Sequence, residues 1–594
     1  MDTPIERTWT PGPRAALVLA VWIGLVTGLA EGPLVALKRT LFQPITFEGP
    51  SLYWTSPLAH AALFGIVGLI LAGLVRLGPP ARTSRVVAFV LVFLAAWSGL
   101  MVFRRQIHQV AVLLVAAGVA AQATRLLARN AAAADRLARR SLPWLGALVP
   151  ILAALVYLQP ALAERWALAG LPTPAPGSPN VLLIVLDAGR AANLSANGYE
   201  RPTTPGLERL AAGGARFERA IATAPWTSPS HASMFTGHFP HRLSAGWGTS
   251  LDVAHRTLAE ELGARGWAPA GFVGNTFYAT REAGLARGFA RYDDQIQPTV
   301  KGILLGSAAA RVAARAVLRA ARQRPALNRK SASQINAAFL RWLDRRGADR
   351  PFFVFINYYD AHAPYHPPAP FDSRFQPSSP SRVERLVAAY DGALAYLDHE
   401  IRGLFAELER RGRLANTLVI VTGDHGEEFG EHAVFEHGHS LYLPALNVPL
   451  IMTLQGRVPP SVVSEPVSLR DLPATVFDVL GLEGSPFPGM SLAELWTGDG
   501  PAGPAPRPVL SEVQQALDAP PEAPTRRGDM RSLVLGGLHY IRNGDGAEEL
   551  YDHVRDPVER NNLAPLQSAD LDRLRAVLDS LLSGATSPVN PTSR

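Results

Sequence analysis

The chain has 594 residues, 48% of them hydrophobic, and a formal charge of +7. It contains no cysteine, which excludes disulfides, thiolate metal sites and a cysteine nucleophile. Only Lys38, Lys301 and Lys330 are lysine, and many arginines flank apolar runs where membrane topology accounts for them, so no nucleic-acid partner is expected.

Five apolar runs open the chain, at 15–30, 57–75, 86–103, 110–128 and 142–163. Each approaches the ~20 residues that span a bilayer. Arg76, Arg82 and Arg85 lie between the second and third runs, and Arg125, Arg129, Arg136, Arg139 and Arg140 lie around the turn between the fourth and fifth. An inside N-terminus makes both loops cytoplasmic, and an odd number of spans then puts everything after residue 163 outside. Lys38, Arg39, Arg104 and Arg105 fall in the outer loops and are fewer. The pattern predicts a multi-pass protein of a bacterial-type inner (plasma) membrane with the large remainder of the chain extracytoplasmic. Glu31 and His60 are expected at the membrane interface. The division expected is a membrane domain at 1–165, a Pro-rich linker at 166–179, a catalytic domain at 180–495, a C-terminal subdomain at 496–583 and a disordered tail at 584–594.

The run V-L-L-I-V-L at 181–186 is uniformly apolar, as in a strand buried on both faces of a parallel sheet. It ends on Asp187. F-F-V-F-I at 352–356 leads to Asp360 and His362, and L-V-I-V at 418–421 leads to Asp424 and His425. Helical patterns at 206–213, 257–265 and 382–411 separate these runs, which predicts an α/β sheet with helices on both faces. Ligands bind such sheets at the carboxyl ends of strands. The stretch P-W-T-S-P-S-H-A-S-M-F-T-G at 225–237 adds a helix start. Pro229 suits its first turn, Ser228 stands where an N-cap belongs, and Thr227 faces the free N–H groups that bind phosphate or sulfate. Carboxylates and imidazoles converging on one hydroxyl make a divalent-cation site. A bound metal lowers the pKa of that hydroxyl and so activates it. Asn275, after the strand-like 270–273, reads first as a turn residue, with a place in the site as the alternative.

From about 179 to 563 the chain resembles the sulfatase family of the alkaline phosphatase superfamily. The resemblance is carried by R-P-T-T-P-G-L-E-R-L at 201–210, T-S-P-S-H-A-S-M-F-T-G at 227–237 and L-A-E-E-L-G-A-R-G-W at 258–267. It continues in D-A-H-A-P-Y-H-P-P at 360–368, G-D-H-G-E-E-F-G-E-H at 423–432, H-G-H-S-L-Y at 437–442, V-P-L-I at 448–451, and E-L-Y-D with D-P-V-E-R-N-N-L-A within 549–564. It implies an alkaline-phosphatase-like domain of mostly parallel sheet with helices on both faces, completed by a small C-terminal sheet, behind the transmembrane helices. It also implies one divalent metal ion, Mn, Mg, Ca or Zn, held by Asp187, Thr227, Asp424 and His425. His362 and one of His437 and His439 would contact the substrate or move a proton.

The chain also departs from the family pattern. Thr227 stands where sulfatases carry the Cys or Ser that becomes formylglycine. His231 replaces an arginine that would steady the nucleophile, or else caps locally. Ala188 replaces a second acid, and no lysine falls in a motif. A metal-activated Thr227 resembles the phosphodiesterase and phosphoglycerol or phosphoethanolamine transferase branches. The expected activity is hydrolysis or transfer of phosphate or sulfate esters in membrane lipids or cell-envelope glycans. The alternatives are a sulfuric ester hydrolase without formylglycine and a catalytically silent envelope-binding protein.

Three further stretches lie outside these motifs. Arg311, Arg315, Arg319 and Arg322 share one helical face, suited to anionic headgroups or to solvent. The segment 501–527 reads as a long loop before a small sheet at 532–535 and 538–542. Leu571, Leu574, Val577, Leu578 and Leu581 form one apolar stripe of a docking helix.

Overall fold

The computed structural model describes residues 12–583 except 43–44, 46–47, 78–79, 105, 297, 305, 309, 312–328, 347–348 and 498–505. Most of the arginine-rich face beyond Arg311, the start of the expected 501–527 loop and the tail at 584–594 lie outside the described residues. The chain forms two units, one of Met1–Ala163 with Ile296–Asn328, the other of Glu164–Gln295 with Arg329–Arg594.

Five long helices open the described part of the chain, the last running past the end of the first unit's N-terminal segment: α1 (Pro13–Phe42), α2 (Leu52–Leu77), α3 (Pro80–Met101), α4 (Gln109–Arg129) and α5 (Ala131–Ala169). All five are long and apolar enough to cross a membrane. Close packing of α1 on α2 rests on glycines four residues apart. A Cβ on Gly28 would lie 2.4 Å from Pro57 Cα, and one on Gly24 would lie 2.7 Å from the His60 carbonyl oxygen. Small residues at this spacing let two apolar helices meet backbone to backbone. Glu31 and His60 are buried within the helical unit, with exposures of 2% and 1%. Ser56 joins them, its hydroxyl donating to Glu31 Oε2 and lying 3.2 Å from His60 Nδ1. The Ala308 N–H donates to Glu31 Oε1 at 2.7 Å, which satisfies the second carboxylate oxygen. Partners on both oxygens offset the cost of burying this polar group.

The second unit is built on a nine-stranded sheet. Its strands are β1 (Asn180–Leu186), β2 (Ala215–Ile221), β3 (Ala268–Val273), β4 (Arg291–Asp293), β5 (Phe352–Tyr358), β6 (Thr417–Gly423), β9 (Asn447–Thr453), β10 (Ser461–Val463) and β11 (Val467–Ser468). A hairpin, β7 (Glu428–Phe429) with β8 (Phe435–Glu436), follows β6. The order is β10-β2-β9-β6-β1-β5-β3-β4, with β11 on β2. β9 runs antiparallel to β2 and β6, and the other pairs are parallel. Every residue of β1, β3, β5 and β6 is buried, so both sheet faces are covered, as the uniformly apolar runs predict. The register aligns Leu186 with both Tyr358 and Gly423, and Val273 with Asn357. Four strands therefore end together, and their next residues share one rim.

A smaller antiparallel sheet joins β12 (Val509–Val513), β13 (Met530–Leu535), β14 (Leu538–Arg542) and β15 (Glu548–Asp552). β12 corrects the expected loop, because five buried residues there pair with β13. Leu574 and Leu578 of the Ser568–Ser583 helix are fully buried against Leu510, Leu533, Tyr540 and Leu550.

Candidate active site

The helix α7 (Thr227–Thr236), after α6 (Pro205–Ala211), brings Thr227 to the rim. The N-cap is Trp226 in extended conformation, without a side-chain cap, and the helix begins at Thr227 itself. This corrects the expected Ser228 cap. Ser228 is buried inside the first turn with no hydrogen-bond partner on its hydroxyl. All ten helix residues are buried. Ser230 Oγ donates to the Asp424 carbonyl at 2.5 Å, which ties the helix to the end of β6.

Around Thr227 the polar atoms divide into satisfied and unsatisfied sets. Asp187 Oδ2 accepts from Asn275 Nδ2 at 2.9 Å and Asn357 Nδ2 at 3.0 Å. Asp424 Oδ1 accepts the N–H groups of Ala188 at 3.1 Å and His425 at 3.0 Å. Asp187 Oδ1 and Asp424 Oδ2 are buried without a partner. His425 Nδ1 donates to the Gly426 carbonyl at 2.9 Å, which leaves the Nε2 lone pair facing inward. That Nε2 lies 3.5 Å from Thr227 Oγ1, 3.5 Å from Asp424 Oδ2 and 3.9 Å from Asp187 Oδ1. Ligand atoms of Asp187, Asp424 and His425 all lie within 4.8 Å of one another. The unpartnered oxygens, the aimed nitrogen and the hydroxyl fit a divalent cation taking oxygen and nitrogen ligands.

The electrostatics point the same way. Burial, then the neighbouring Asp424, pushes Asp187 up to about 8. Burial pushes Asp424 up to about 7 and His425 down to about 4. Two adjacent buried carboxylates resist ionising together unless a positive charge joins them.

The histidines separate by their partners. His437 Nδ1 bonds Glu427 Oε1 at 2.9 Å, and Tyr365 Oη donates to Glu427 Oε2 at 2.9 Å. The His437 ring stands 4.2 Å from that of His425 and 4.7 Å from that of His362. His362 stacks on Tyr359 at 4.2 Å. His439 makes none of these contacts, and its Nδ1 is buried without a partner. His231 Nδ1 bonds the Thr227 carbonyl at 2.8 Å and lies 3.5 Å from Asp424 Oδ2, so it braces the first helical turn. Asp360 does not join the cluster. Its Oδ2 accepts the Ala332 N–H at 3.0 Å, at the start of the Ala332–Arg346 helix.

Glu427 escaped the sequence reading, and Asn275 stands both in a turn and beside the cluster, the two readings offered for it. Asn275 is a turn residue, its Oδ1 accepting the N–H groups of Phe277 and Tyr278, but its Nδ2 also stands 3.3 Å from Thr227 Oγ1. Glu427 is fully buried behind His437. Its place in the motif two residues after His425 was the available signal.

Residues 179–482 match the family model described as Sulfatase. The chain belongs to the sulfatase family. Human arylsulfatase A is 28% identical over 350 residues, covering 53% of this chain and 66% of that one. Mouse steryl-sulfatase is 26% identical over 409 residues, covering 52% and 63%. The chain thus spans just under two thirds of the length of these relatives. The fold is that of the phosphonate monoester hydrolase of Agrobacterium radiobacter, at TM-score 0.54 and 21% identity, covering 68% of this chain and 95% of that one.

This sulfatase-family chain keeps the departures visible in its sequence. Ala188 is fully buried at φ 61, and its carbonyl accepts from Tyr390 Oη at 2.6 Å. Lys330 pairs with Asp293 at 2.7 Å, away from the cluster.

Proposed function

We propose that the protein is a membrane-anchored, metal-dependent hydrolase or transferase that cleaves phosphate or sulfate esters, with Thr227 as nucleophile. The observation that carries this reading is the convergence of Thr227 Oγ1, His425 Nε2 and the two unpartnered carboxylate oxygens of Asp187 and Asp424 in one buried cluster. Those four residues would hold the ion, which supplies Lewis-acid activation of the Thr227 hydroxyl and stabilises charge at the reacting centre. Asn275 orients Oγ1. Thr227 Oγ1 gives up its proton to solvent and forms the new bond to phosphorus or sulfur as the bond from that atom to the ester oxygen breaks. His437, held by Glu427, or His362 gives that oxygen a proton. Water or another alcohol then takes the group from Thr227.

Charge narrows the ester. A divalent ion with two carboxylates and a threonine alkoxide leaves the cluster net negative, and no lysine or arginine contacts it among the described residues. A singly charged phosphodiester or sulfate ester meets less repulsion there than a doubly charged phosphomonoester. The five apolar helices support a tether that keeps the catalytic unit near an envelope substrate, a lipid headgroup or a glycan. Protease digestion of spheroplasts should cut the catalytic unit from outside; full protection would reverse the proposed orientation.

The experiment is turnover of an aryl phosphodiester, an aryl phosphomonoester and an aryl sulfate by purified protein with Mn, Mg, Ca or Zn, beside Thr227→Ala. Metal-dependent turnover of a singly charged ester, lost in the variant, is expected. Equal behaviour of the two proteins on all three substrates would sink the reading.

A further inference from the structure

Glu559, in the stretch D-P-V-E-R of the C-terminal subdomain, is fully buried and stands at φ 59. A left-handed backbone is unfavourable for a residue with a Cβ and persists only where its surroundings enforce it. Here they are two bonds to one carboxylate. Oε1 pairs with Nδ1 of His539 on β14, also fully buried, and Oε2 accepts the Leu443 N–H at 2.7 Å. Leu443 opens a short buried helix, Leu443–Leu446, that has no side-chain cap of its own. Its first N–H is satisfied instead by a carboxylate 116 residues further along the chain. The carbonyls of this short helix hold the backbone of the candidate site. Pro444 O accepts the Glu427 N–H at 3.0 Å, and Ala445 O accepts the Gly426 N–H at 2.8 Å. A Cβ on Gly426 would lie 2.1 Å from Pro444 O, so the two backbones meet without slack. Gly426 O in turn holds His425 Nδ1, and the Glu427 carboxylate holds His437 Nδ1. The same subdomain grips the residue before Leu443: the Tyr442 hydroxyl donates to Glu549 at 3.0 Å.

We infer that Glu559 is a positioning residue of the ester-cleaving site, which it reaches from the C-terminal subdomain. By fixing the Leu443–Leu446 helix it fixes the Gly426–Glu427 backbone, and through that backbone it aims His425 and His437. This rests on the reading of that cluster as an ester-cleaving site. Burying a carboxylate on a left-handed backbone is a poor way to fill a core, where glycine or an apolar side chain serves as well or better. What the carboxylate adds is reach: it spans from β14 to the end of a segment that no neighbour in sequence caps. Groups that orient the residues touching a metal or a substrate act in this way, at one remove from the chemistry.

The test is Glu559→Gly in the full chain, beside Glu559→Gln. Glycine suits φ 59, so it removes the carboxylate while relieving the backbone. Glutamine keeps an acceptor for Leu443 and a group for His539. Turnover is read on methyl hexyl phosphate, whose leaving oxygen needs a proton, and on methyl nitrophenyl phosphate, whose leaving oxygen does not. The hexyl-to-nitrophenyl ratio of kcat should fall about tenfold or more in Glu559→Gly and stay within about threefold in Glu559→Gln, with KM changed little in either. Adding Glu427→Gln to Glu559→Gly should lower the ratio by less than about threefold more, since both act through His437. An unchanged ratio, an equal loss on the two esters, or effects that multiply overturn the inference. Should Glu559→Gly fail to fold, Glu559→Asp, one methylene shorter, must lower the ratio in its place, and an unchanged ratio there overturns the inference equally. If wild type cleaves neither ester, it is the ester-cleaving reading that fails. Hydrogen exchange then still decides the contact: faster exchange of the peptide holding Gly426 and Glu427 in the variant that folds supports it, and a rate equal to wild type overturns it.

Discussion

Asn275 Nδ2 reaches two atoms of the buried cluster at once, Asp187 Oδ2 at 2.9 Å and Thr227 Oγ1 at 3.3 Å. One amide therefore fixes the threonine rotamer against a carboxylate from a different strand. Its own Oδ1 is occupied by two N–H groups of the following turn, so the amide cannot flip without losing both. Asn275→Ala should lower kcat about 10- to 100-fold and change KM far less, since it loosens the attacking group rather than the substrate. A steady-state comparison checks this; a pure KM effect would assign Asn275 to binding.

Metal and proton should compete at the cluster. Asp187 and Asp424, raised to about 8 and about 7 by burial, hold protons in the folded protein at pH values where the unfolded chain has released them. Stability of the metal-free protein therefore falls as pH rises through this range. His425 and His437, each lowered to about 4 by burial, act in the opposite sense, but only below the ordinary histidine value of 6.5. Between about pH 6.5 and about pH 8.5 the carboxylates dominate. Thermal melts over that window should show a falling midpoint in chelator and a flatter one with Mn or Zn, and calorimetry at neutral pH should detect proton release on metal binding. Parallel melts with and without metal would contradict the assignment of these carboxylates as ligands.

Glu427 is predicted to act through His437. Its carboxylate is fully buried between Tyr365 and His437. Burial pushes Glu427 up to about 8 and His437 down to about 4, so near neutral pH the acid holds the proton of the pair; Glu427→Gln keeps the size and one hydrogen bond but removes the proton that the acid can pass through His437. kcat should fall about tenfold or more for esters with poor leaving groups and much less for nitrophenyl esters, whose oxygen needs no proton. An equal loss on both would make Glu427 a packing residue only.

In the helical unit, Gly28 meets the Pro57 backbone with no room for a methyl group. Gly28→Leu should therefore force α1 from α2 and cost about 1–3 kcal/mol, read as a lower melting temperature in detergent. Glu31→Gln leaves the shape but weakens the bonds from Ser56 and the Ala308 N–H, and should lower the midpoint less. A Gly28→Leu melt matching wild type would contradict the close seam.

How far the sequence carried depended on whether local chemistry or packing chose the outcome. β1, β5 and β6 were legible because a strand covered on both faces is uniformly apolar, and each run stops at a residue of the rim. The same logic brought Asp187, Asp424 and His425 together with Thr227. It misled at Asp360, because an aspartate after a strand serves equally well at the N-terminus of a neighbouring helix, and here Ala332 claims it. It misled at Ser228, since the cap rule prefers serine, yet Trp226 takes the extended cap position and is held by stacking on Trp247. β12 was hidden by a Pro- and Ala-rich context, although five buried residues sufficed once β13 lay beside them. Asn275, Glu427 and the Glu31–Ser56–His60 group acquire their roles from partners far along the chain, which no local pattern encodes.

The central claim, that Thr227 takes the transferred group, is tested most directly by mass spectrometry of protein quenched during turnover. A phosphoryl or sulfuryl adduct on the peptide holding Thr227, dependent on added metal and absent from Asp424→Ala, is the predicted result. Sustained turnover with no adduct, and with Thr227→Ala as fast as wild type, would contradict it.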